Sequence, residues 1–459
     1  MTAAGALREL HDADVVAGKL AAAGIAGERA GVVRRQLLAC AGALRQHGAS
    51  SDDAALAFVV PGRIEVLGKH TDYAGGRSIL AAPERGCAIV AVPRDDGQVG
   101  VHDVARGESI RFDLDPTPRS ADGWANYPMT AARRLARNFP AARTGADLAV
   151  TSDLPVAAGM SSSSAFIVAV FSALVAVNRV DEDERYQSAI ATPEDLAGYL
   201  STVENGLGFR TLQGDFGVGT EGGSEDHTAM LCARPGRLVQ YTFGPVRLER
   251  ELPLPPAHRF VIASSGVRAE KSGAARESYN RAARLMRTAA ELWRAETGRA
   301  DATVGAVLDA DPDAGGRLRA VLAAVGSSTF PPEALLARVE QFIAEDREII
   351  PAAGDALLRG DLVAFGARVE RSQALAERLL GNQTDETVHL ARAARELGAA
   401  AASAFGAGFG GSVWALVADD AADALQERWR ADYLSRFPQH AGAAEFFQSR
   451  AGPPMARVL

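Results

Sequence analysis

Residues Leu154–Ala165 read LPVAAGMSSSSA and run without a break into the apolar stretch AFIVAVFSALVAV at Ala165–Val177. Gly159 lets the backbone turn sharply, and a serine caps a helix by accepting hydrogen bonds from its free N–H groups. One cap needs one serine, whereas four stand in a row here. A run of hydroxyls and unpaired amides at a helix start, with roughly half a positive charge from the helix dipole, suits an anion such as a phosphate group. Anion binding therefore outweighs simple capping. No G-x-x-x-x-G-K-[ST] pattern occurs anywhere, so this is not a Walker loop. The apolar stretch is shorter than the ~20 residues that span a bilayer, so it reads as a buried helix and no membrane segment is expected.

Outward from this loop the chain alternates strands and helices. Residues 5–48 carry apolar residues at helical spacing, as in VVRRQLLACAGALRQHG. Between 57 and 114, short β-rich runs (AFVV, IEVLG, CAIVAVP, SIRFDL) alternate with turn residues. A helix is expected after Trp124, a strand over ADLAVTSDL, a helix over 193–207 and strands over 229–250. Pro253, Pro255 and Pro256 mark the best boundary. Beyond them come a strand at VIASS, a long helix over 269–298, Arg- and Ala-rich helices to residue 400 or so, and strands at SVWALV and near the C-terminus. At 459 residues the chain is long for one core, so two domains are expected, of α+β or α/β class.

Composition narrows the functions. A formal charge of −8 gives no support to nucleic-acid binding, which wants a basic face, but leaves a local phosphate site open. Cys40, Cys87 and Cys232 are scattered and form no CxxC pair, which argues against a disulfide framework or structural zinc and fits a reducing compartment. MTAAGALRELHDAD has neither a basic head nor an apolar run, so no secretory signal is read and a cytoplasmic protein is expected.

Three further features carry chemistry. Gly68–Gly76, GKHTDYAGG, packs a cation, an imidazole and a carboxylate between glycines after the run IEVL, the make-up of a loop that grips a polar ligand. Gly406–Val413, GAGFGGSV, matches G-x-G-x-x-G, but that fingerprint needs a strand before it and a helix after. Here an alanine-rich helix is read before it and a strand after, so a nicotinamide-type dinucleotide fold is not expected. A glycine loop lining another site and a plain helix-to-strand turn both remain. Asp226 follows the glycine-rich run GVGTEGGSED, where backbone can approach a ligand closely; by itself it is equally a turn residue or a site residue.

Together, PGRIEVLGKHTDYAGG, LPVAAGMSSSSA and GAGFGGSV resemble the three motifs of the GHMP small-molecule kinases, and the first resembles the galactokinase signature G-R-x-N-L-I-G-E-H-T-D-Y-x-x-G. WANY at 124–127, Glu204-Asn205, GGSEDH at 222–227, SYNRAAR at 278–284 and the closing FFQSRAGPPMARVL fall where that family has counterparts. The resemblance implies an α+β fold of two domains. A nucleotide-binding domain over 31–255 would be like domain 2 of ribosomal protein S5, and a domain over 256–459 would be ferredoxin-like with added helices. Residues 1–30 are left as an extension. It implies phosphoryl transfer from ATP to the anomeric hydroxyl of a sugar, with Mg²⁺, by a monomer or homodimer. The loop residues Pro155, Ala158, Gly159, Met160, Ser161, Ser162, Ser163 and Ser164 would wrap the nucleotide phosphates. Ser163 and Glu204 would hold Mg²⁺, which wants oxygen ligands. Asp226 would take the proton of the sugar hydroxyl, with Arg63 beside it. Lys69, His70, Asp72 and Tyr279 would contact the sugar. A catalytically silent sugar sensor of the same fold and a mevalonate-type kinase are the rival readings.

The motif is departed from at two positions: Lys69 stands where the family has glutamate, and Glu65 where it has asparagine. The family glutamate faces the sugar's C6 hydroxyl. A partly desolvated ammonium there would want a counter-charge, so one expectation is that a hexuronate such as galacturonate is accepted at least as well as galactose. The competing expectation is a local Lys69–Glu65 ion pair that leaves the sugar unchanged.

Overall fold

The computed structural model describes residues 4–117, 121–268, 273–325, 327–406 and 408–459. The chain opens with a two-residue strand β1 (Gly5–Ala6) and helices α1 (Ala13–Ala22) and α2 (Gly27–Gln46). Strands β2 (Ala54–Pro61), β3 (Ile64–Leu67), β4 (Arg77–Ala81), β5 (Gly86–Pro93), β6 (Gln98–Asp103) and β7 (Glu108–Asp113) follow. Next are α3 (Asn126–Asn138), β8 (Ala146–Ser152), α4 (Ser162–Asn178), α5 (Glu184–Ala189), α6 (Pro193–Asn205) and α7 (Glu225–Cys232). Strands β9 (Arg237–Thr242), β10 (Arg247–Pro253) and β11 (His258–Ser264) precede the long helix α8 (Gly273–Thr297). A run of shorter helices leads to β12 (Ala401–Ala404), β13 (Ser412–Ala418), β14 (Glu445–Ser449) and β15 (Ala456–Arg457).

The first sheet has the order β1-β2-β5-β8-β6-β7, with β15 also on β2 and only the β6–β8 pair parallel. Both of its faces are apolar. Leu56, Phe58, Val60, Ile89 and Leu148 point to the side that α4 covers. Ala55, Ala57, Val59, Ala88, Val90 and Ala149 point to the other side, under α2. This two-faced burial is why AFVV and CAIVAVP read as continuous apolar runs rather than alternating ones. Leu7, Leu10, Val16 and Leu20 join α2 in that second layer, so these N-terminal elements pack into the same core as the sheet. Helix α4 is buried along most of its circumference, as an all-apolar helix must be.

A second sheet, β10-β9-β4-β3, carries the GKHTDYAGG loop between β3 and β4. The third, β12-β13-β11-β14, is antiparallel throughout. Its order, with a helical insertion after β11 and the helix Ala422–Arg436 before β14, is the β-α-β-β-α-β ferredoxin-like arrangement.

Two sequence expectations are corrected. Residues 229–232 belong to helix α7, and strands begin only at Arg237, because Ala229–Cys232 continue the buried face of a helix that starts at Glu225. GAGFGGSV is preceded by the short strand β12 and not directly by a helix; it joins two antiparallel strands as a hairpin loop. No helix follows it, so the exclusion of a dinucleotide fold holds. Of the helix expected over 269–298, residues 269–272 lie outside the described residues. No described helix is long and apolar enough to cross a membrane. All three cysteines are buried and unpaired.

Candidate active site

The three motif loops converge on one cavity of about 810 Å³. Each loop contains a non-glycine residue in the left-handed backbone region: His70 (φ 57°), Ala157 and Ser161 (φ 52° and 60°) and Phe409 (φ 58°). Such conformations cost energy and persist where surrounding structure imposes them, often at ligand sites.

Ser161 is the N-cap of α4 but makes no capping bond with its side chain. The serines are therefore not consumed in closing the helix. Ser161, Ser162 and Ser163 line the cavity together with Ala157, Ala158 and Gly159. Ser164 is buried and turns inward, its Oγ donating to Glu204 Oε2 at 2.7 Å and to Asp226 Oδ2 at 3.4 Å. Ser164 is thus the serine set against Glu204, while Ser163 faces the cavity. Met160 is a core residue whose carbonyl accepts from Arg63 N–H at 3.2 Å, and Pro155 does not line the cavity. The GAGFGGSV loop supports the serine loop from behind. Ser412 Oγ donates to the Ala158 carbonyl at 2.7 Å, and a Cβ at Gly411 would sit 3.1 Å from that same carbonyl.

At the cavity's inner end Arg63 Nε donates to Asp226 Oδ1 at 2.6 Å. Arg63 also lies 3.6 Å from both Glu65 Oε2 and Glu225 Oε1, and these carboxylates hold its guanidinium protonated against the effect of burial. Asp72 accepts from the backbone N–H groups of Tyr73 (2.8 Å) and Glu225 (3.1 Å), and burial pushes its carboxyl up to about 6. His70 Nδ1 is 3.0 Å from the Tyr73 hydroxyl, and its ring packs at 5.1 Å from that of Tyr279. The glycines before Asp226 make room for these groups. A Cβ at Gly223 would lie 2.5 Å from Asp72 Oδ2, and one at Gly222 would lie 2.8 Å from the Tyr279 hydroxyl. At the outer end Trp124 and Phe166 stack with ring centroids 6.2 Å apart and, with Tyr127, form an aromatic wall.

Lys69 is placed differently from the sequence expectation. It is fully buried and does not line the cavity. Its ammonium donates to Ser403 Oγ at 2.8 Å and to the Ala404 carbonyl, both on β12. The reason is local: the β3–β4 turn is pressed against β12 and the helix Pro332–Ile343, and the long side chain finds its acceptors on β12. Burial lowers its proton affinity, while the nearby charges of Glu65, Glu345 and Glu225 raise it. The Lys69 and Glu65 side chains are neighbours in this field but make no direct ion pair among the described residues.

Several supports of the loop were not singled out from sequence. Arg338 donates to the His70 carbonyl and to Gln341 Oε1, and Gln341 donates to the Lys69 carbonyl at 3.3 Å. Glu345 Oε1 accepts from Gly68 N–H at 3.0 Å and from Ser372 Oγ at 2.9 Å. Arg338 falls in the stripe Leu335, Val339, Phe342 of a helix (Pro332–Ile343), and a charge inside an apolar stripe is the signal that marks it. Glu345 and Asp346 are adjacent yet both buried, because they sit in a π-helical turn (Ala344–Ile349) that brings both inward.

Comparison with known proteins agrees with this geometry. Residues 126–205 match the GHMP kinases N terminal domain, residues 355–434 the GHMP kinases C terminal family, and residues 45–93 the galactokinase galactose-binding signature. The galactokinase of Lactococcus lactis, solved with galactose, shares the fold: TM-score 0.71 at 23% identity, covering 90% of this chain and 99% of that one. The mevalonate kinase of Methanococcus jannaschii aligns with a TM-score of 0.54 at 14% identity, over 87% of this chain and 98% of that one. Fold and motif loops are those of a GHMP kinase, a two-domain small-molecule phosphotransferase. A galactokinase of Chloroflexus aggregans is 30% identical over 381 residues, 82% of this chain and 87% of the relative, and the chain belongs to the galactokinase family. It is a sugar kinase.

Proposed function

We propose that the protein moves the γ-phosphoryl group of ATP to the anomeric oxygen of a free, galactose-type hexose. The observation that carries this reading is the 2.6 Å contact between Arg63 Nε and Asp226 Oδ1, set where the serine loop meets the polar end of the cavity. The sugar occupies the end lined by His70, Asp72 and Tyr279, and the nucleotide base lies against Trp124 and Phe166. Its phosphates run along Ser161–Ser163 toward the free amides of α4.

The anomeric oxygen attacks phosphorus as the bond to the bridging β-oxygen breaks, and the hydroxyl proton passes to Asp226. Arg63 keeps that carboxylate ionised and counters charge on the transferring group. An ordinary aspartate is a weak base, so most of the acceleration comes from alignment and charge stabilisation. Glu204 and Ser164 form an all-oxygen donor pair, and no described cluster offers three His, Cys, Asp or Glu ligands. That set fits Mg²⁺, which takes one or two carboxylates and completes its shell with phosphate and water oxygens. When bound, it would neutralise the phosphate oxygens.

The test is to incubate the protein with ATP, Mg²⁺ and a panel of free hexoses and to follow the products by phosphorus NMR. ADP and a sugar 1-phosphate are expected in equal amounts. Sugar-independent ADP release, or an ester at C6, would sink the reading.

A further inference from the structure

Glu65 is a carboxylate that the family motif does not have, and the strand geometry aims it into the cavity. Its neighbours Ile64 and Val66 are in the core, while a register shift between Glu65 and Leu67 marks a bulge in the β3–β4 pairing. Bulges re-aim side chains. The carboxylate ends against the first glycine of the third motif: a Cβ at Gly406 would lie 1.9 Å from Glu65 Oε2. Glu225 lies beside it, anchored through Oε2 by Ser78 Oγ at 2.9 Å. Both side chains line the cavity although only 2% and 4% of their residues' surfaces are exposed.

This corner is incompletely satisfied. Among the described residues, Glu65 Oε1, Glu225 Oε1 and Arg63 Nη1 make no hydrogen bond, the guanidinium standing 3.6 Å from each carboxylate, too far to satisfy them. Buried polar atoms left in that state point to a missing partner. Burial, together with the charge of Glu65, pushes the Glu225 carboxyl well above its ordinary range. A hydroxyl meets the corner's needs, since it can accept from Arg63 Nη1 while donating to Glu65. An ammonium could donate but would face Arg63 with like charge. A carboxylate would meet Glu65, Glu225, Asp226 and Asp72 together, and Lys69, the cation expected to welcome it, is bound elsewhere.

We infer that Glu65, backed by Glu225, is a substrate-contacting, specificity-determining residue that takes a hydrogen bond from a hydroxyl of a neutral sugar and excludes sugars bearing a carboxylate. The inference rests on the sugar-kinase reading above and reverses the preference that Lys69 suggested in the sequence.

The experiment compares kcat/KM for galactose and galacturonate in the wild type, Glu65→Gln and Glu225→Gln, with nucleotide binding measured separately by a fluorescent ATP analogue. The wild type should prefer the neutral sugar by roughly 10²-fold or more, as like charges brought together inside a site demand. Glu65→Gln should raise the KM for galactose about tenfold, leave ATP-analogue binding unchanged and narrow the preference at least as much. Glu225→Gln should narrow it in the same direction, which keeps the test open if Glu65→Gln misfolds. A wild type that uses galacturonate within tenfold of galactose would overturn the inference, and so would variants that lose both sugars equally. If neither sugar is phosphorylated while the ATP analogue binds, the functional proposal itself falls, and this inference with it.

Discussion

Lys69 Nζ donates to Ser403 Oγ at 2.8 Å, so a residue of the β3–β4 loop is tied to strand β12 of the other half of the chain. Ser403 Oγ in turn donates to Gln373 Oε1, which also accepts from Ala404 N–H, both at 3.0 Å. The lysine is an internal clamp whose charge balances Glu65 and Glu345. Removing one member of a buried charge cluster leaves the others uncompensated and costs about 3–5 kcal/mol. Lys69→Ala should therefore lose about that much in urea unfolding. Lys69→Glu, which restores the family residue alone, should be less stable still, and adding Glu65→Asn should recover part of the loss. A Lys69→Glu protein as stable as the wild type would remove the clamp from the account.

Asp226 touches Arg63 and Ser164 but no apolar core residue needs its charge, so Asp226→Asn should fold and bind both substrates. Its kcat should drop by about 10²–10⁴, the usual worth of a positioned base. Turnover near wild type would show that the proton leaves by another route.

The serine loop offers a direct contrast. Ser164 contacts Glu204, whereas Ser163 lies on the cavity wall. Ser164→Ala should raise the Mg²⁺ concentration needed for half-maximal rate by about 10–100-fold, the range seen when a group that orients a metal ligand is lost. Ser163→Ala should act mainly on the KM for ATP. In the wild type, excess EDTA should stop transfer. If Ser163→Ala gives the larger Mg²⁺ effect, the assignment is reversed.

Gly223 has no room for a side chain because Asp72 fills the space. Gly223→Ala should push Asp72 aside and raise the KM for the sugar well above tenfold, with the KM for ATP little changed. Equal damage to both constants would indicate a general loss of structure rather than displacement of one carboxylate.

The Asp72 carboxyl titrates at about 6 in the folded protein against 3.8 for an unperturbed aspartate. Between these values the folded state binds more protons than the unfolded one, so stability falls as pH rises through the window. The difference is worth up to about 3 kcal/mol. Burial pushes Glu225 and Glu345 in the same direction. Unfolding free energies measured from pH 4 to 7 should fall less steeply for Asp72→Asn than for the wild type. Parallel slopes would show that Asp72 does not hold a raised affinity for protons.

Much of the site was legible in the sequence because its parts are local. A serine run before an all-apolar helix marks a turn rich in hydroxyls and free amides, and Ser161, Ser162 and Ser163 do line the cavity. A glycine run before an acid signals a crowded backbone, and Gly222 and Gly223 are crowded by Tyr279 and Asp72. The strands of the first sheet were readable from their composition, since burial on both faces leaves no polar alternation to confuse them.

Tertiary structure decided what the charged residues do. A lysine next to a histidine in a binding loop looks like a ligand contact, but side-chain direction depends on which surface the loop is pressed against. Here that surface is β12, some 330 residues further along, whose hydroxyl and carbonyl take the ammonium away from the cavity. Glu65 shows the converse: a bulge in the strand and the absence of a side chain at Gly406 turn a residue between two core positions into the wall of the site. Sequence determined the fold and the three loops, because periodicity and turn chemistry act over a few residues. Which of Ser163 and Ser164 faces Glu204, and which charge faces the cavity, depended on contacts between residues far apart in the chain, and only packing sets those.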